Sequence, residues 1–397
     1  MSIPMSEPDI TDAERAAVDE VLRTPTLSIG PRLLALENGL ATTVGTQHAA
    51  GVSSGTAGLH LCMLAAGVGE GDVVLTTPFS FVASANCILY VRAEPAFVDV
   101  EPRTLTIDPE QLARTVRMLE RSRRRLKAII AVHVFGQAAD MDPILDIARR
   151  HRLAVIEDAC EAIGATYKER SVGGLGHAGV FGFYPNKQLT TGEGGAVVTD
   201  DAGWDSLFRS LRNQGRDVFD GWLAHSRLGY NYRLDELSAA LGAVQLARLD
   251  EILDKRARVA GWYRTRLRNL EGVAVPAVAK WTTRMSWFVY VVRLASAALR
   301  AHVIEQLGRR GIPARPYFPP IHLQPFYRAH FGFRPGQFPV AEKAGETCLA
   351  LPFFSSMREE QVDAVCDALR EILEAQPRRE MQPARRPRAG VGEGVCL

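Results

Sequence analysis

Residues 153–199 read LAVIEDACEAIGATYKERSVGGLGHAGVFGFYPNKQLTTGEGGAVVT, and this stretch decides the fold. It contains three short apolar runs, at 154–157, 180–184 and 196–199, which are separated by Gly-containing segments as buried strands often are. Four similar runs precede it and alternate with helical patterns, at 49–53, 73–76, 96–100 and 128–133. Because this alternation is typical of βαβ units, the sequence predicts an α/β fold with a seven-stranded, mostly parallel sheet.

The length of 397 residues is enough for two or three domains. A long helical pattern begins at Asp235 and continues toward Leu270, and it predicts a helix that bridges to a second unit. We therefore expect a large domain over residues 1–250 and a smaller α+β domain over 251–375. Residues 376–397 are rich in Pro, Arg and Gly without apolar periodicity, which predicts a disordered tail.

Charge and hydropathy exclude several classes of function. The net charge is only +2, so the chain as a whole offers no broad attraction for nucleic acid or an anionic membrane, and residues 377–397 alone carry a net +3. Apolar stretches such as 128–132 are too short to span a bilayer, and the acidic N-terminal residues are unlike a signal peptide. The basic run at 114–127 lacks interleaved aromatic residues, which favours a solvated helix face over a polyanion site. We expect a cytoplasmic protein without nucleic-acid or membrane partners.

The cysteines are scattered along the chain without C-x-x-C spacing, and most lie among apolar residues. They are Cys62, Cys87, Cys160, Cys348, Cys366 and Cys396. This distribution is typical of reduced thiols that serve as small core side chains, and it argues against a structural zinc. We expect no metal site.

Lys187 is the candidate nucleophile of the chain. It follows the strand predicted at 180–184 and precedes a Gly-rich turn at 192–195, where backbone can approach a ligand closely. A lysine whose pKa is lowered by desolvation and by a nearby cationic ring can form a Schiff base. Taken alone, this lysine would be interpreted as a surface residue in a loop.

Two other strand ends change that interpretation. Asp158 follows the strand at 154–157, and a carboxylate there can keep a pyridine ring nitrogen protonated. The segment 53–57, Ser-Ser-Gly-Thr-Ala, opens an apolar helix whose N-terminal amides, glycine and hydroxyl can cradle a phosphate. A phosphate site, a pyridinium partner and an imine-forming lysine on one sheet together predict pyridoxal phosphate as the cofactor.

The sequence resembles the DegT/DnrJ-type (StrS-like) aminotransferases from about Leu22 to Leu373. The residues that carry the resemblance are S-S-G-T-A at 53–57, Gly71-Asp72, P-F-S-F at 78–81, F-V-D-V at 97–100, Val132-His133, Glu157-Asp158-Ala159, Lys187, G-E-G-G at 192–195, G-Y-N-Y-R at 229–233 and H-L-Q-P at 322–325. The resemblance implies the aspartate aminotransferase-like architecture, known as fold type I, with a smaller C-terminal domain.

The resemblance also implies roles for individual residues. Lys187 would hold the cofactor as a Schiff base and shuttle protons after its release, while Asp158 would pair with the ring nitrogen. The other implied cofactor contacts are Gly55, Thr56 and Ala57 at the phosphate, Phe81 over the ring, and Asn231 at the phosphate of the neighbouring subunit. The active unit would then be a homodimer with shared sites.

Two positions depart from the family pattern. The family commonly has serine five residues before the lysine, where Gly182 stands here, so one phosphate contact is expected to be lost or replaced by water. Many relatives have glutamine three residues after Asp158, near the ring hydroxyl oxygen, where Glu161 stands here. An ionised carboxylate would repel that oxygen, so we expect Glu161 to hold a proton or to point elsewhere, and we favour the proton.

Three residues are candidates for substrate binding. Arg233 can bind a carboxylate or a phosphate, because a guanidinium group forms bidentate hydrogen bonds with anions. The alternative role for Arg233 is a structural ion pair. By resemblance, His322 and Tyr317 in the Pro-rich segment face the substrate, and the alternative for His322 is loop packing. For His133, which lies at a strand end, two roles are considered: a position near the cofactor and a structural role.

The resemblance implies transfer of an amino group from glutamate or glutamine to a nucleotide-linked keto sugar, at its 3- or 4-position. An aminocyclitol aminotransferase is the alternative, because cyclitol and sugar enzymes share all these motifs. A non-catalytic regulatory protein on the same fold is a remote alternative, which the presence of Lys187, Asp158 and Thr56 disfavours.

Overall fold

The computed structural model describes residues 3–217 and 224–375. Its strands are β1 (His48–Val52), β2 (Asp72–Thr76), β3 (Glu94–Phe97), β4 (Arg125–Val132), β5 (Ala154–Asp158), β6 (Thr166–Tyr167), β7 (Arg170–Ser171), β8 (Ala178–Gly182), β9 (Gly195–Thr199), β10 (Val273–Ala274), β11 (Thr282–Arg284), β12 (Tyr290–Leu294), β13 (Arg315–Pro316) and β14 (Cys348–Leu351). The predicted tail, 376–397, lies outside the described residues.

The helices surround and follow these strands. They are α1 (Asp12–Leu22), α2 (Pro31–Val44), α3 (Gly55–Ala65), α4 (Ala83–Tyr90), α5 (Pro109–Arg121), α6 (Met141–His151), α7 (Ala202–Arg212), α8 (Glu236–Ala247), α9 (Leu249–Leu267), α10 (Ala297–Arg309), α11 (Pro325–Phe331), α12 (Pro339–Thr347) and α13 (Glu359–Glu374). Short 3₁₀ turns span Val134–Gly136 and Ile321–Leu323. No helix in the described ranges is long and apolar enough to cross a membrane.

The main sheet contains seven strands in the order β1-β9-β8-β5-β4-β2-β3. All run parallel except β9, which pairs antiparallel with both β1 and β8. The predicted seven-stranded, mostly parallel sheet is therefore confirmed. The run predicted at 180–184 ends as a strand at Gly182, so the residues up to Lys187 form a loop at the sheet edge.

Both faces of this sheet are covered, which explains its nearly continuous apolar strands. Neighbouring residues of one strand point to opposite faces, so Val155 and Phe181 join one core while Ile156 and Val180 join the other. Helices α2, α5 and α6 contribute to the first core, and α3, α4 and α7 contribute to the second. The architecture is a three-layer α/β/α arrangement.

The helical pattern from Asp235 toward Leu270 is two helices rather than the single helix that was predicted. Helix α8 ends at Ala247 and α9 begins at Leu249, with Arg248 between them at φ −99° and ψ 8°. Arg248 binds the N-terminal segment through Asp9 (2.9 Å) and Glu14 (2.5 Å). Apolar periodicity continues across the break, which explains why the sequence pattern did not locate it.

The C-terminal part contains a four-stranded antiparallel sheet, β10-β12-β14-β13, which shares a core with α9, α10 and α13. The domain boundary at residue 250 stays a prediction. Before β12 the chain returns to the main sheet, where Ser286 N donates to Gly136 O (3.0 Å) and Phe288 N donates to Phe135 O (3.2 Å). Gly136 has φ +92°, and a Cβ there would lie 2.7 Å from the Trp287 nitrogen, so this approach requires glycine.

Candidate active site

A cavity of about 450 Å³ lies at the carboxyl-end edge of the main sheet. Residues that follow or end the parallel strands line it, and they include Ser54 after β1, Val132 at the end of β4, Asp158 at the end of β5 and Gly182 at the end of β8. Open α/β sheets bind ligands at this edge because polar loop residues from several strands converge there. The cavity therefore lies where the predicted phosphate-binding segment, Asp158 and the loop that contains Lys187 meet.

The N-terminus of α3 forms one wall. Ser54 is its N-cap, and the Ser54 hydroxyl accepts a hydrogen bond from Ala57 N at 3.1 Å. The first amides of a helix have no carbonyl partner within the helix and carry the positive end of its dipole, so Gly55 and Thr56 can bind an anion. Gly55 is required by close packing, because a Cβ there would lie 2.6 Å from the Cys160 sulfur.

Lys187 reaches into the cavity from the loop after β8. Its side chain is 14% exposed, and its Nζ lies 3.5 Å from Oε1 of Glu161. The ring of Phe288 lies 3.9 Å from Nζ, measured to the ring centroid. The amine thus contacts a carboxylate and an aromatic face and is partly shielded from water.

Asp158 is buried at the end of β5 and is held by two donors. Ser84 donates its hydroxyl to Oδ2 at 2.6 Å, and Cys160 donates its amide to Oδ1 at 3.2 Å. Ser84 also shares a hydrogen bond with Ser80, oxygen to oxygen at 2.7 Å. These hydrogen bonds fix the orientation of the Asp158 carboxylate at the cavity.

Glu161 lies on the same turn as Asp158 and also faces the cavity. Its Oε2 accepts a hydrogen bond from Phe135 N at 2.9 Å, and its own carbonyl accepts one from Gln188 Nε2 at 2.6 Å. Burial raises the pKa of Glu161, Asp158 raises it further, and Lys187 opposes the shift. This direction agrees with the expectation that Glu161 can hold a proton.

These features fit pyridoxal phosphate. A helix N-terminus for the phosphate, a carboxylate for the ring nitrogen and a lysine for the aldehyde meet in one cavity of suitable size. The family model described as "DegT/DnrJ/EryC1/StrS aminotransferase family" matches residues 8–370. The chain belongs to this family.

Individual relatives agree with this assignment. A GDP-perosamine synthase of Caulobacter vibrioides is 40% identical over 375 residues, which are 94% of this chain and 98% of that protein. The structure of S. venezuelae DesV in complex with a ketimine intermediate has a TM-score of 0.88 at 32% identity, covering 95% of this chain and 100% of that chain. The PLP form of Spr1654 from Streptococcus pneumoniae has a TM-score of 0.87 at 26% identity, covering 94% and 99%.

The predicted enzyme class, fold family and cofactor are confirmed by these comparisons. The chain is a pyridoxal-phosphate-dependent aminotransferase with the fold-type I architecture. Among the described residues, no cluster of three or more His, Cys, Asp or Glu side chains has the arrangement needed to hold a metal ion.

The structure of this aminotransferase brings most of the predicted site residues together. Those that line the cavity are Gly55, Thr56, Phe81, Asp158, Glu161, Lys187 and Tyr317. Ala57 is buried in the first turn of α3 and bonds to the Ser54 cap. Burial raises the pKa of Tyr317, and Glu161 adds to that shift, so the phenol stays neutral at physiological pH.

Three other predicted residues lie away from this cavity lining. Asn231 is exposed and pairs with Asn213 in an isolated β-bridge. Arg233 donates to the Asn213 side chain at 3.0 Å, and no acidic partner for it is found within the described part of the chain. His322 is fully buried, 3.0 Å from Glu342, with its ring against Phe338. The position of His322 corresponds to the loop-packing alternative rather than to a substrate-facing residue.

His133 of the aminotransferase has a structural environment. Its Nδ1 accepts a hydrogen bond from Ala139 N (3.0 Å), so the proton lies on Nε2, which points at Glu157 (2.9 Å). Both side chains are completely buried. Of the two roles left open for His133, the geometry supports the structural one.

Sequence reasoning missed three residues at the site of the aminotransferase: Ser80 and Phe288 line the cavity, and the fully buried Ser84 holds Asp158. Ser84 and Ser80 are spaced four apart where α4 begins, and that spacing could have placed both hydroxyls on one face. Phe288 had no such signal, because it reaches Lys187 only through the return of the 284–289 segment to the main sheet.

Proposed function

We propose that this enzyme transfers the amino group of glutamate or glutamine to a keto sugar carried by a nucleotide, at its 3- or 4-position. The observation that carries the proposal is the convergence of Lys187, Asp158 and the α3 N-terminus in one cavity that adjoins a larger groove. The 40% identity to a GDP-perosamine synthase supports a sugar acceptor.

The cofactor would be held at three points. The amides of Gly55 and Thr56 and the Thr56 hydroxyl would bind the phosphate, Asp158 would face the ring nitrogen, and Phe81 would cover the ring. When bound, pyridoxal phosphate supplies an aldehyde that binds amines covalently and a ring that withdraws electrons from the adjacent carbon. Gly182 offers the phosphate no side chain, so the α3 N-terminus is its principal anion site.

Lys187 would perform the proton transfers. Its amine would hold the cofactor through the aldehyde and, when free, would remove the proton from the donor's α-carbon. Asp158, fixed by Ser84, would keep the ring nitrogen protonated through both half-reactions. In the second half-reaction Lys187 would run the same proton transfer in reverse on the acceptor.

The acceptor would extend into the groove beside the cavity. The groove encloses about 930 Å³ and shares Ser80, Phe81, Tyr317 and Phe318 with the cavity lining, so the two spaces adjoin. Aromatic and other apolar side chains form most of its walls, including Tyr90 and Phe326. Such walls suit the faces of a sugar ring and of a nucleobase.

We further propose that two copies share each site. Asn231 is exposed and lies outside the cavity lining of its own chain, which leaves it available to a neighbouring molecule. Arg233 follows it by two residues, is held by Asn213, and can bind an anionic group of the substrate. Sedimentation of the holoenzyme should give a dimer, and Asn231→Ala should weaken cofactor binding in it.

A substrate panel tests the proposal. GDP-, UDP- and dTDP-linked 3-keto and 4-keto sugars and free keto cyclitols are incubated with the holoenzyme and either donor, and keto-acid release and the aminated product are measured. We expect amination of a nucleotide-linked keto sugar, and none with Lys187→Ala. If a keto cyclitol is aminated faster than every keto sugar, the acceptor is a cyclitol rather than a nucleotide-linked sugar. Absence of cofactor-dependent turnover with either donor would contradict the proposal.

A further inference from the structure

Glu161 stands directly beside the catalytic lysine. Its Oε1 lies 3.5 Å from Lys187 Nζ, and the side chains are 9% and 14% exposed, respectively. A carboxyl group can bind a proton, whereas the side-chain amide of a glutamine at this position could not. Glu161 therefore puts a second proton-binding group within reach of the amine.

The surrounding contacts hold Oε1 in this position. Oε2 is occupied by the Phe135 amide at 2.9 Å, and the backbone of Glu161 is held by Gln188, the residue after the lysine. The centroid of the Phe288 ring lies 3.9 Å from Nζ. Lys187 thus contacts both Glu161 and an aromatic face, and Glu161 is the carboxylate within 4.0 Å of its amine among the described residues.

The groups around Glu161 lower the free-energy cost of placing a proton on its carboxylate. The titratable groups that face it are Lys187 from the loop after β8, Asp158 and Cys160 on its own turn, and Tyr317 from the segment after β13. Burial and the negative charge of Asp158 disfavour a second carboxylate, while Lys187 favours one. A neutral acid beside a neutral amine then competes with the buried ion pair.

We propose that Glu161 is the proton acceptor that keeps Lys187 a neutral amine. An N–H bond of the Lys187 ammonium breaks, its electron pair stays on Nζ, and an O–H bond forms at Oε1, so the charges of the pair cancel before and after transfer. The neutral amine is the form that attacks the cofactor aldehyde and accepts the substrate proton. The inference rests on the role of Lys187 under the proposed function.

Trace labelling of the cofactor-free enzyme with acetic anhydride tests the inference, because only the neutral amine reacts. The rate at Lys187 is measured by peptide mass spectrometry from pH 6 to 8, with exposed Lys280 as the internal standard. In the wild type one proton is shared by the pair over this range, so we expect a nearly constant rate, changing less than about threefold. In Glu161→Gln the rate should be lower at pH 6 and rise about tenfold per pH unit.

A plain counter-ion role predicts the opposite. Glu161 would then stabilise the ammonium, the wild-type rate would itself rise tenfold per pH unit, and Glu161→Gln would label faster at every pH; this result would overturn the inference. Glu193→Gln removes another carboxylate of the cavity lining and should leave the flat profile unchanged. If Glu161→Gln does not fold, the wild-type profile alone decides, because a steady tenfold rise per unit contradicts a shared proton.

The labelling uses neither donor nor acceptor, so its failure is distinguishable from failure of the proposed function. A steep wild-type profile together with borohydride fixation of the cofactor on Lys187 would remove only the role of Glu161. Fixation on another lysine would remove the proposed function as well.

Discussion

Glu157 and Asp158 are neighbours at the end of β5, yet they have opposite roles because successive strand residues point to opposite faces of the sheet. Glu157 accepts hydrogen bonds from the amides of Gly173, Leu175 and Gly176 and faces His133. Asp158 has two protein donors, Ser84 and the Cys160 amide, and lines the cavity.

The difference teaches how to separate a structural carboxylate from a functional one. Both oxygens of Glu157 are saturated by protein donors, so the residue orders the 173–176 turn and has no capacity left for a ligand. Asp158 and Glu161 keep acceptor capacity toward the cavity, where Lys187 lies. Substitutions on the cavity face should alter chemistry, and substitutions on the other face should alter stability.

The largest effect is expected for Lys187→Ala. Loss of the amine removes both the covalent attachment of the cofactor and the proton transfers, so kcat should fall by at least about 10⁴-fold. The visible absorbance of the bound cofactor should shift to that of the free aldehyde. Lys168→Ala, outside the cavity, is the control, and retained activity in Lys187→Ala would contradict the assignment.

Asp158→Asn should have the next largest effect on kcat. The amide keeps the size of the side chain but cannot hold a proton on the ring nitrogen, so kcat should fall by about 10²- to 10³-fold. Urea unfolding of the cofactor-free enzyme should change little. An activity within threefold of wild type would show that Asp158 does not support the chemistry.

Glu157→Gln should have the opposite effect, a loss of stability with little change in the chemistry of the site. An amide placed against amide donors leaves buried groups unpaired, so the cofactor-free enzyme should lose about 3 kcal/mol of unfolding free energy. The absorbance of the bound cofactor should remain as in the wild type. Unchanged stability with an altered cofactor spectrum would break the contrast between the two faces.

Ser84→Ala should have a smaller effect on chemistry. Asp158 would keep the Cys160 amide but lose the hydroxyl at 2.6 Å, so kcat should fall about tenfold. Ser80→Ala, which removes a partner of Ser84 but no contact to Asp158, should change kcat by less than about threefold. Equal effects of the two substitutions would argue against Ser84 as a direct support of Asp158.

Gly182→Ser should have the smallest effect, a gain in cofactor affinity. A Cβ at Gly182 would lie 3.4 Å from the Cys160 Cβ, an ordinary contact, and the added hydroxyl can supply one phosphate contact. Cofactor affinity should rise about fivefold, the effect of one hydrogen bond. Gly195→Ala is the contrasting control, because its Cβ would lie 2.7 Å from the Gly55 nitrogen and disturb the phosphate site. Weaker binding in Gly182→Ser would mean that the phosphate lies elsewhere.

Much of the sheet and site could be predicted because local patterns carry them. Apolar runs locate buried strands, and parallel strands end at one edge, so Asp158, Lys187 and the segment 53–57 converge without knowledge of long-range contacts. The strand ends were less predictable. Phe183 continues the apolar run of β8 but is not part of the strand.

The remaining features depend on contacts between distant segments. Phe288 reaches Lys187 only because the chain returns to Gly136 from the C-terminal part. The break at Arg248 is associated with Asp9 and Glu14, more than 200 residues away. His322 lies in one of the segments on which the predicted resemblance rests, but its burial against Phe338 is a matter of tertiary packing that a short segment does not encode.

Borohydride reduction of the holoenzyme, followed by peptide mass spectrometry, tests the central claim most directly. The claim is that Lys187 in the β8 loop holds the cofactor opposite Asp158. The account predicts one phosphopyridoxyl group per chain, on the peptide that contains Lys187. A label on another lysine, or none on the Lys187 peptide of an active preparation, would contradict it.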